Sequence, residues 1–190
     1  MVKKVFSSLF KNSVIRMILA LAVVGMISGY ALVFVYTYAM PKITENIEGE
    51  TQRAIANIFP AAGKIEKEKD VFKAFDKKGD LLGYAFLAEG NGYQGSIKLL
   101  AGIDSDLKEL TGIEVLESQE TPGLGAEIRN AKFKDQFKQL SVGKDIEYVK
   151  NRKPQKANQI EAITGATISS RAVVNILNKR IEEIKKDHRL

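Results

Sequence analysis

From Met17 to Tyr38 the chain reads MILALAVVGMISGYALVFVYTY, with no charged residue. At 1.5 Å per helical residue, a run of this length covers a hydrocarbon core of about 30 Å. A buried core helix rarely stays uncharged for so long, and a cleaved leader has a shorter apolar part followed by small residues at its cleavage site. Tyr38-Ala39-Met40-Pro41 makes a poor cleavage site, so the sequence predicts an uncleaved anchor. Lys3, Lys4, Lys11 and Arg16 precede the span, and no acidic residue occurs among the first 40 positions. The positive-inside rule then predicts a single-pass protein of the cell (inner) membrane, with its N-terminus cytoplasmic and the remainder outside. Tyr30, Phe34, Tyr36 and Tyr38 crowd the outer end, as an interfacial aromatic belt does.

The same four cations account for most of the basicity. The formal net charge is +6, and the chain without them is close to neutral, which removes the electrostatic case for nucleic-acid binding. Cysteine is absent, which excludes disulfides, thiolate metal sites and cysteine nucleophiles supplied by this chain. The lone histidine, His188, sits in a charged tail and reads as a solvated helix end. A Ser-His-Asp triad or a multi-histidine metal centre is therefore not expected. Carboxylate, hydroxyl, backbone or cofactor chemistry remains. Past Arg16 the span carries no ionisable residue, so no proton or ion relay is expected within it.

Beyond the membrane, Pro41 suits the first turn of a new helix or a kink in the old one. Ile43, Ile47, Ala54, Ile55 and Ile58 recur at helical spacing and predict a stalk helix continuing from the span. Residues 63–70, GKIEKEKD, read as a charged linker. Then the period changes to that of strands. Val71–Lys77, Leu81–Ala88, Ser96–Ile103 and Leu110–Glu117, separated by turn residues, predict an antiparallel meander. Ala131–Gln139 is expected to be a short helix, Ile146–Lys150 an edge strand and residues 151–157 a loop. A terminal helix is expected to begin near Ser169 or Ser170, capped by one of these hydroxyls, with Val173, Ile176, Leu177, Ile181 and Ile184 along one stripe. The expected fold class is α+β: an N-terminal transmembrane helix with a stalk helix, then an antiparallel sheet with packed helices. The domains read as 1–40 for the cytoplasmic N-terminus and anchor, 41–62 for the stalk and 63–190 for the outer domain.

Three glycine-bearing segments stand out. They are Gly92-Tyr93-Gln94-Gly95, Glu120-Thr121-Pro122-Gly123-Leu124-Gly125 and Thr164-Gly165-Ala166-Thr167-Ile168-Ser169-Ser170. Taken singly, the second and third read as ordinary turns ahead of a helix, and Glu120 as a solvated or helix-capping charge. In the third, Gly165 lets the backbone bend, and the following helix start offers amides and a dipole that favour an anion such as phosphate. In the second, Pro122 fixes its φ, Gly123 and Gly125 permit close or left-handed backbone, and Leu124 offers an apolar surface for an aromatic ring.

In this order the three segments resemble the flavin mononucleotide (FMN)-binding domain shared by the Rnf ion-translocating ferredoxin:NAD oxidoreductase and the sodium-pumping NADH:quinone reductase. The length and single anchor are most similar to the Rnf G subunits. The resemblance implies covalent FMN, joined by a phosphoester to the last threonine of the Thr-Gly-Ala-Thr motif, which is Thr167, with Thr164, Gly165 and Ala166 completing the motif. It implies cofactor-binding roles for Glu120, Thr121, Gly123, Leu124 and Gly125. It also implies maturation by a flavin transferase outside the cytoplasm, and electron relay among the membrane, iron–sulfur and flavin subunits of a complex, with no independent catalysis. The chain departs from the family pattern in two places. Glu161 stands where Asp is frequent, and Ser118-Gln119 stand where histidine is frequent. The alternatives are a C-type subunit of the quinone reductase, another flavinylated extracytoplasmic carrier, or a non-redox assembly subunit whose glycine turns are structural.

Overall fold

The computed structural model describes residues 13–187 apart from 69; Lys3, Lys4, Lys11 and His188 lie outside the described residues. Two compact units are present, Met1–Glu48 and Gly49–Leu190. Helix α1 runs unbroken from Ser13 to Ile58 with Pro41 inside it, and its last turns belong to the second unit. Between Met17 and Met40 its large apolar side chains are exposed all round, the pattern of a helix whose solvent is lipid. It is the one helix among the described residues long and apolar enough to cross a membrane. At Tyr38 the Lys42 ammonium lies over the ring, 4.7 Å from its centroid.

The second unit is built on a six-stranded antiparallel sheet in sequence order: β1 (Lys64–Glu68), β2 (Val71–Phe75), β3 (Leu81–Asn91), β4 (Ser96–Asp104), β5 (Glu109–Ser118) and β6 (Leu140–Ser141). The meander predicted by the alternating pattern is thus present, with strand ends shifted by a few residues. Residues 63–70 are not a linker: Lys64–Glu68 is the edge strand β1, paired with β2 from Lys64↔Phe75 to Glu68↔Val71. An outer strand exposed on both faces has no apolar alternation to read, and lysines on an edge discourage pairing with other chains.

Side chains of β4 alternate between two cores. Ile97, Leu99, Ala101 and Ile103 face the larger one, where Val173, Leu177, Ile181 and Ile184 of the terminal helix α3 (Thr167–Asp187) pack. Leu100 faces the smaller core, formed with Ala54, Ile55, Ile58 and Phe59 from the end of α1. Glycines on three neighbouring strands give this helix end its seat. A Cβ on Gly83 would lie 3.1 Å from the Phe59 ring, one on Gly102 2.3 Å from Ile58 Cγ2, and one on Gly112 4.0 Å from Ile58 Cγ1. Nothing in the local sequence pattern singles out these glycines.

The connection from β5 to β6 holds a 3-10 turn (Gly125–Arg129), a single helical turn α2 (Ala131–Lys134) and a second 3-10 turn (Asp135–Phe137). The expected continuous helix over 131–139 is therefore broken, because the chain must turn at Gln139 (φ 57°) to enter β6. Phe133 and Phe137 still share a face and meet edge-on at 5.3 Å. Strand β7 (Glu147–Val149) is no edge of the main sheet. It pairs in parallel with β8 (Gln159–Glu161) in a separate two-stranded sheet. Two side-chain amides fasten that sheet: Asn178 bonds both backbone groups of Ile146, at 2.8 and 3.0 Å, and Gln136 bonds both of Glu161, at 2.7 and 3.2 Å. Strand β8 leads directly to the Thr-Gly-Ala-Thr turn, so these clamps fix the approach to the site.

Gly102→Ala is expected to destabilise the second unit by about 1–3 kcal/mol, since its methyl meets Ile58, Thr111 and Phe59 within a filled core. Thermal unfolding of the detergent-solubilised chain measures this, and an unchanged melting temperature would contradict the seat described.

Candidate FMN site

All three glycine segments meet at the start of α3. In the first, the Gly92 amide donates to Gly95 O at 2.7 Å and closes a tight loop between β3 and β4. In the second, the Leu124 amide donates to Thr121 O at 3.2 Å, Pro122 follows Thr121, and Gly123 has φ +73°. In the third, the Ala166 amide donates to Ile163 O at 3.0 Å, and Gly165 has φ +83°. The second and third share one pattern, a turn with glycine at the position that needs a positive φ. The two turns touch: a Cβ on Gly165 would lie 3.4 Å from Leu124 Cδ2.

Helix α3 begins at Thr167, earlier than expected, so neither Ser169 nor Ser170 precedes it as a cap. Both lie in its first turn and are buried. Ser170 Oγ accepts from the Ile163 amide and donates to Ala166 O, both at 3.0 Å, which locks the turn onto the helix. Ala166 is buried, Thr164 and Gly165 are exposed, and Thr167 is half-buried at the first helical position. The first-turn amides beside it have no acceptor within the helix, and the dipole adds a partial positive charge there.

Glu120 is neither a solvated charge nor a helix cap. It is 6% exposed and the sole buried carboxylate among the described residues. Its Oε1 accepts from the amides of Tyr93 and Gln94 at 2.6 and 3.1 Å, and its Oε2 accepts from the Ser169 hydroxyl at 2.6 Å. Burial pushes this carboxyl up, but the bonds from Ser169 and from the amides of Gln94, Tyr93 and Gly95 outweigh it and hold the group below its ordinary value. Thr121, half-buried, donates to Gln94 Oε1 at 2.5 Å across the same junction.

Gly125 is buried, and its lack of a side chain leaves room for Glu120. A Cβ there would lie 2.3 Å from Glu120 Oε2, and one on Gly92 2.1 Å from Glu120 Oε1. Gly123, by contrast, has nothing within 4 Å of its Cβ position. The contributions of Ser169, Gln94 and Gln136 were not foreseen, because nothing in the local pattern marks their partners 49, 26 and 25 residues away.

Two clefts flank the helix start. One, of about 290 Å³, is lined by Glu127, Asn130, Phe133, Gln136, Glu161 and Thr164. The other, of about 410 Å³, includes Gly92, Ile168, Arg171, Asn175 and Lys179. Among the described residues of the second unit, the exposed large apolar side chains are Ile65, Tyr93, Leu124 and Ile168. All but Ile65 stand on the glycine segments. Exposed apolar residues gathered beside a helix start fit a ligand with a flat aromatic body and an anionic end, which is the chemistry of FMN.

Residues 92–182 match the FMN-binding domain family. Over 186 residues the chain is 34% identical to the G subunit of an ion-translocating oxidoreductase complex from Methanosarcina acetivorans, covering 91% of this chain and 95% of that protein. The chain belongs to this family of G subunits. The G subunit of a proton-translocating ferredoxin:NAD(+) oxidoreductase complex from Clostridium ljungdahlii is 31% identical over 182 residues, covering 92% and 93% of the two chains. The crystal structure of Shewanella oneidensis NqrC shares the fold, with a TM-score of 0.54 at 24% identity over 62% of this chain and 64% of that one. Like these G subunits, the chain is one component of a multi-subunit oxidoreductase complex, and its second unit contains an FMN-binding domain.

The depressed carboxyl of Glu120 gives this domain an acid limit. Its contribution is full above the ordinary carboxyl value of 4.5 and is lost as pH falls through the lower folded value. Melting temperatures of wild type and Glu120→Gln are expected to differ most above pH 4.5 and to converge below it. A gap that stays constant down to strong acid would contradict an ionised Glu120.

Proposed function

We propose that this chain is a membrane-anchored electron carrier holding FMN covalently on Thr167, and that it relays electrons within an ion-translocating ferredoxin:NAD oxidoreductase complex. The observation that carries the reading is the position of Thr167: a half-buried hydroxyl on the first residue of α3, where all three glycine segments meet. Similarity to G subunits over nearly the whole chain supports the assignment to this complex rather than to the quinone reductase.

Bound FMN supplies one- and two-electron transfer, and the chain supplies attachment, orientation and electrostatics. Thr167 would hold the phosphoryl group through its Oγ1 as a phosphodiester, the hydroxyl giving up its proton and the phosphoryl donor its leaving group. First-turn amides of α3 stabilise the remaining negative charge by roughly 0.3–1 kcal/mol. Leu124, Ile168 and Tyr93 offer the apolar surface for the ring, with Thr121, Thr164, Gly165 and Ala166 shaping the turns around it. Covalent attachment keeps a cofactor outside the cytoplasm at high effective concentration. A flavin transferase outside the cytoplasm installs it. The cations before the span support an N-terminus inside and the FMN domain outside.

Thr167→Val, expressed in a host with the transferase, is expected to lose the flavin fluorescence that otherwise stays with the denatured band, together with the mass of FMN minus water. Thr167→Ser keeps the hydroxyl and retains part of the attachment. Covalent flavin persisting in the valine variant would refute the site. For topology, the cysteine-free chain accepts a single reporter at exposed Lys153. Lys153→Cys is expected to react with an impermeant maleimide in intact cells, and labelling only after lysis would reverse the orientation.

A further inference from the structure

We propose that Glu120 is the positioning residue of this site: without touching the cofactor, its carboxylate locks the 92–95 loop and the first turn of α3 into one fixed arrangement around Thr167. The inference rests on the FMN reading above and adds a role which that reading does not contain.

Both carboxylate oxygens are already spoken for within the protein. Oε1 takes the two loop amides, and Oε2 takes the hydroxyl of Ser169, two residues beyond Thr167. The donors lie 26 to 49 residues away in sequence, so the bonds join elements that local structure does not hold together. At 6% exposure the group presents almost no surface to a ligand. Two of the motif glycines serve the carboxylate directly, since a side chain at Gly92 or Gly125 would occupy its oxygens' space. A second bond, from Thr121 to Gln94, crosses the same junction, so the loop is held at both backbone and side chain. Buried side chains that fix the residues touching a ligand are what make a site rigid.

Glutamine can reproduce this network. Its Oε1 can accept the two amides while its Nε2 donates to Ser169 Oγ, keeping the arrangement and losing the charge. Alanine at 120 removes every bond, and Ser169→Ala removes only the link to α3. The test uses the full chain matured in its own host and solubilised from the membrane, as wild type, Glu120→Gln, Glu120→Ala and Ser169→Ala. Intact mass reports attached FMN, visible circular dichroism reports how rigidly the flavin is oriented, and hydrogen exchange reports the Tyr93 and Gln94 amides.

All four proteins are expected to carry FMN. Glu120→Ala and Ser169→Ala are expected to lose about half or more of the flavin dichroism, and Glu120→Gln to keep it. Exchange at Tyr93 and Gln94 is expected to quicken at least about tenfold in Glu120→Ala and to stay near wild type in Glu120→Gln. Wild-type dichroism in Ser169→Ala, or a glutamine variant as impaired as the alanine one, overturns the proposal. If Glu120→Ala does not fold, the Glu120→Gln and Ser169→Ala variants decide it. Absence of FMN from the wild type would overturn the attachment reading instead, and the exchange rates would still decide whether Glu120 holds the loop.

Discussion

A carboxylate largely withdrawn from water governs how this site is assembled. Removing such a charge from solvent costs several kcal/mol unless strong donors replace the water. Glu120 finds them in two backbone amides and a serine hydroxyl, and the balance leaves it more acidic than in water. Because the donors come from the β3–β4 loop and from α3, while the acceptor follows β5, the charge is satisfied only when all three are in place. Folding the loops together and stabilising the ion are therefore one event. A glutamate side chain has the reach to span this junction, and glycine at 92 and 125 leaves it room.

That dependence explains which parts of the architecture were legible. Period-2 alternation is a local property, and it revealed β2 to β5 within a few residues. The apolar stripe of α3 was equally local. Proline followed by glycine at 122–123 announced a turn, and the structure contains one with φ +73° at Gly123. The purposes of Gly92, Gly125, Gly83, Gly102 and Gly112 were not legible, because each is set by a residue from another element. Ser169 misled for the same reason: a serine near a helix start reads as a cap, but this one faces inward to a partner 49 positions earlier. Polarity misled at 64–68, where exposure on both faces of an edge strand mimics a loop.

Helix α1 shows how one element can answer to two solvents. From Met17 to Met40 apolar residues surround it, as suits a helix without an aqueous face. In its last turns the apolar residues narrow to Ala54, Ile55 and Ile58, which, with Phe59 just beyond, pack on the sheet over the glycine seat. The last turns of α1 are thus part of the second unit's own core. Asn57 reinforces this packing from the rim, donating to Glu114 Oε1 at 3.4 Å, while Lys134 pairs with Glu114 Oε2 at 2.5 Å.

Two negative groups are asked to share the start of α3: Glu120, and the phosphoryl group proposed on Thr167. Their repulsion would weaken the attachment point if both drew on the same donors. The structure divides the donors. Glu120 takes its amides from the 92–95 loop and, from the helix, only the hydroxyl of Ser169. The first-turn amides of α3 are left for an anion at Thr167, and the dipole adds to them. A serine at 169 suits this division better than a lysine or arginine would. A hydroxyl satisfies the carboxylate without bringing a full positive charge that would compete for the second anion. The loop hairpin, remote in sequence from the Thr-Gly-Ala-Thr turn, is therefore what would let a buried acid and the anion proposed on Thr167 share one helix end.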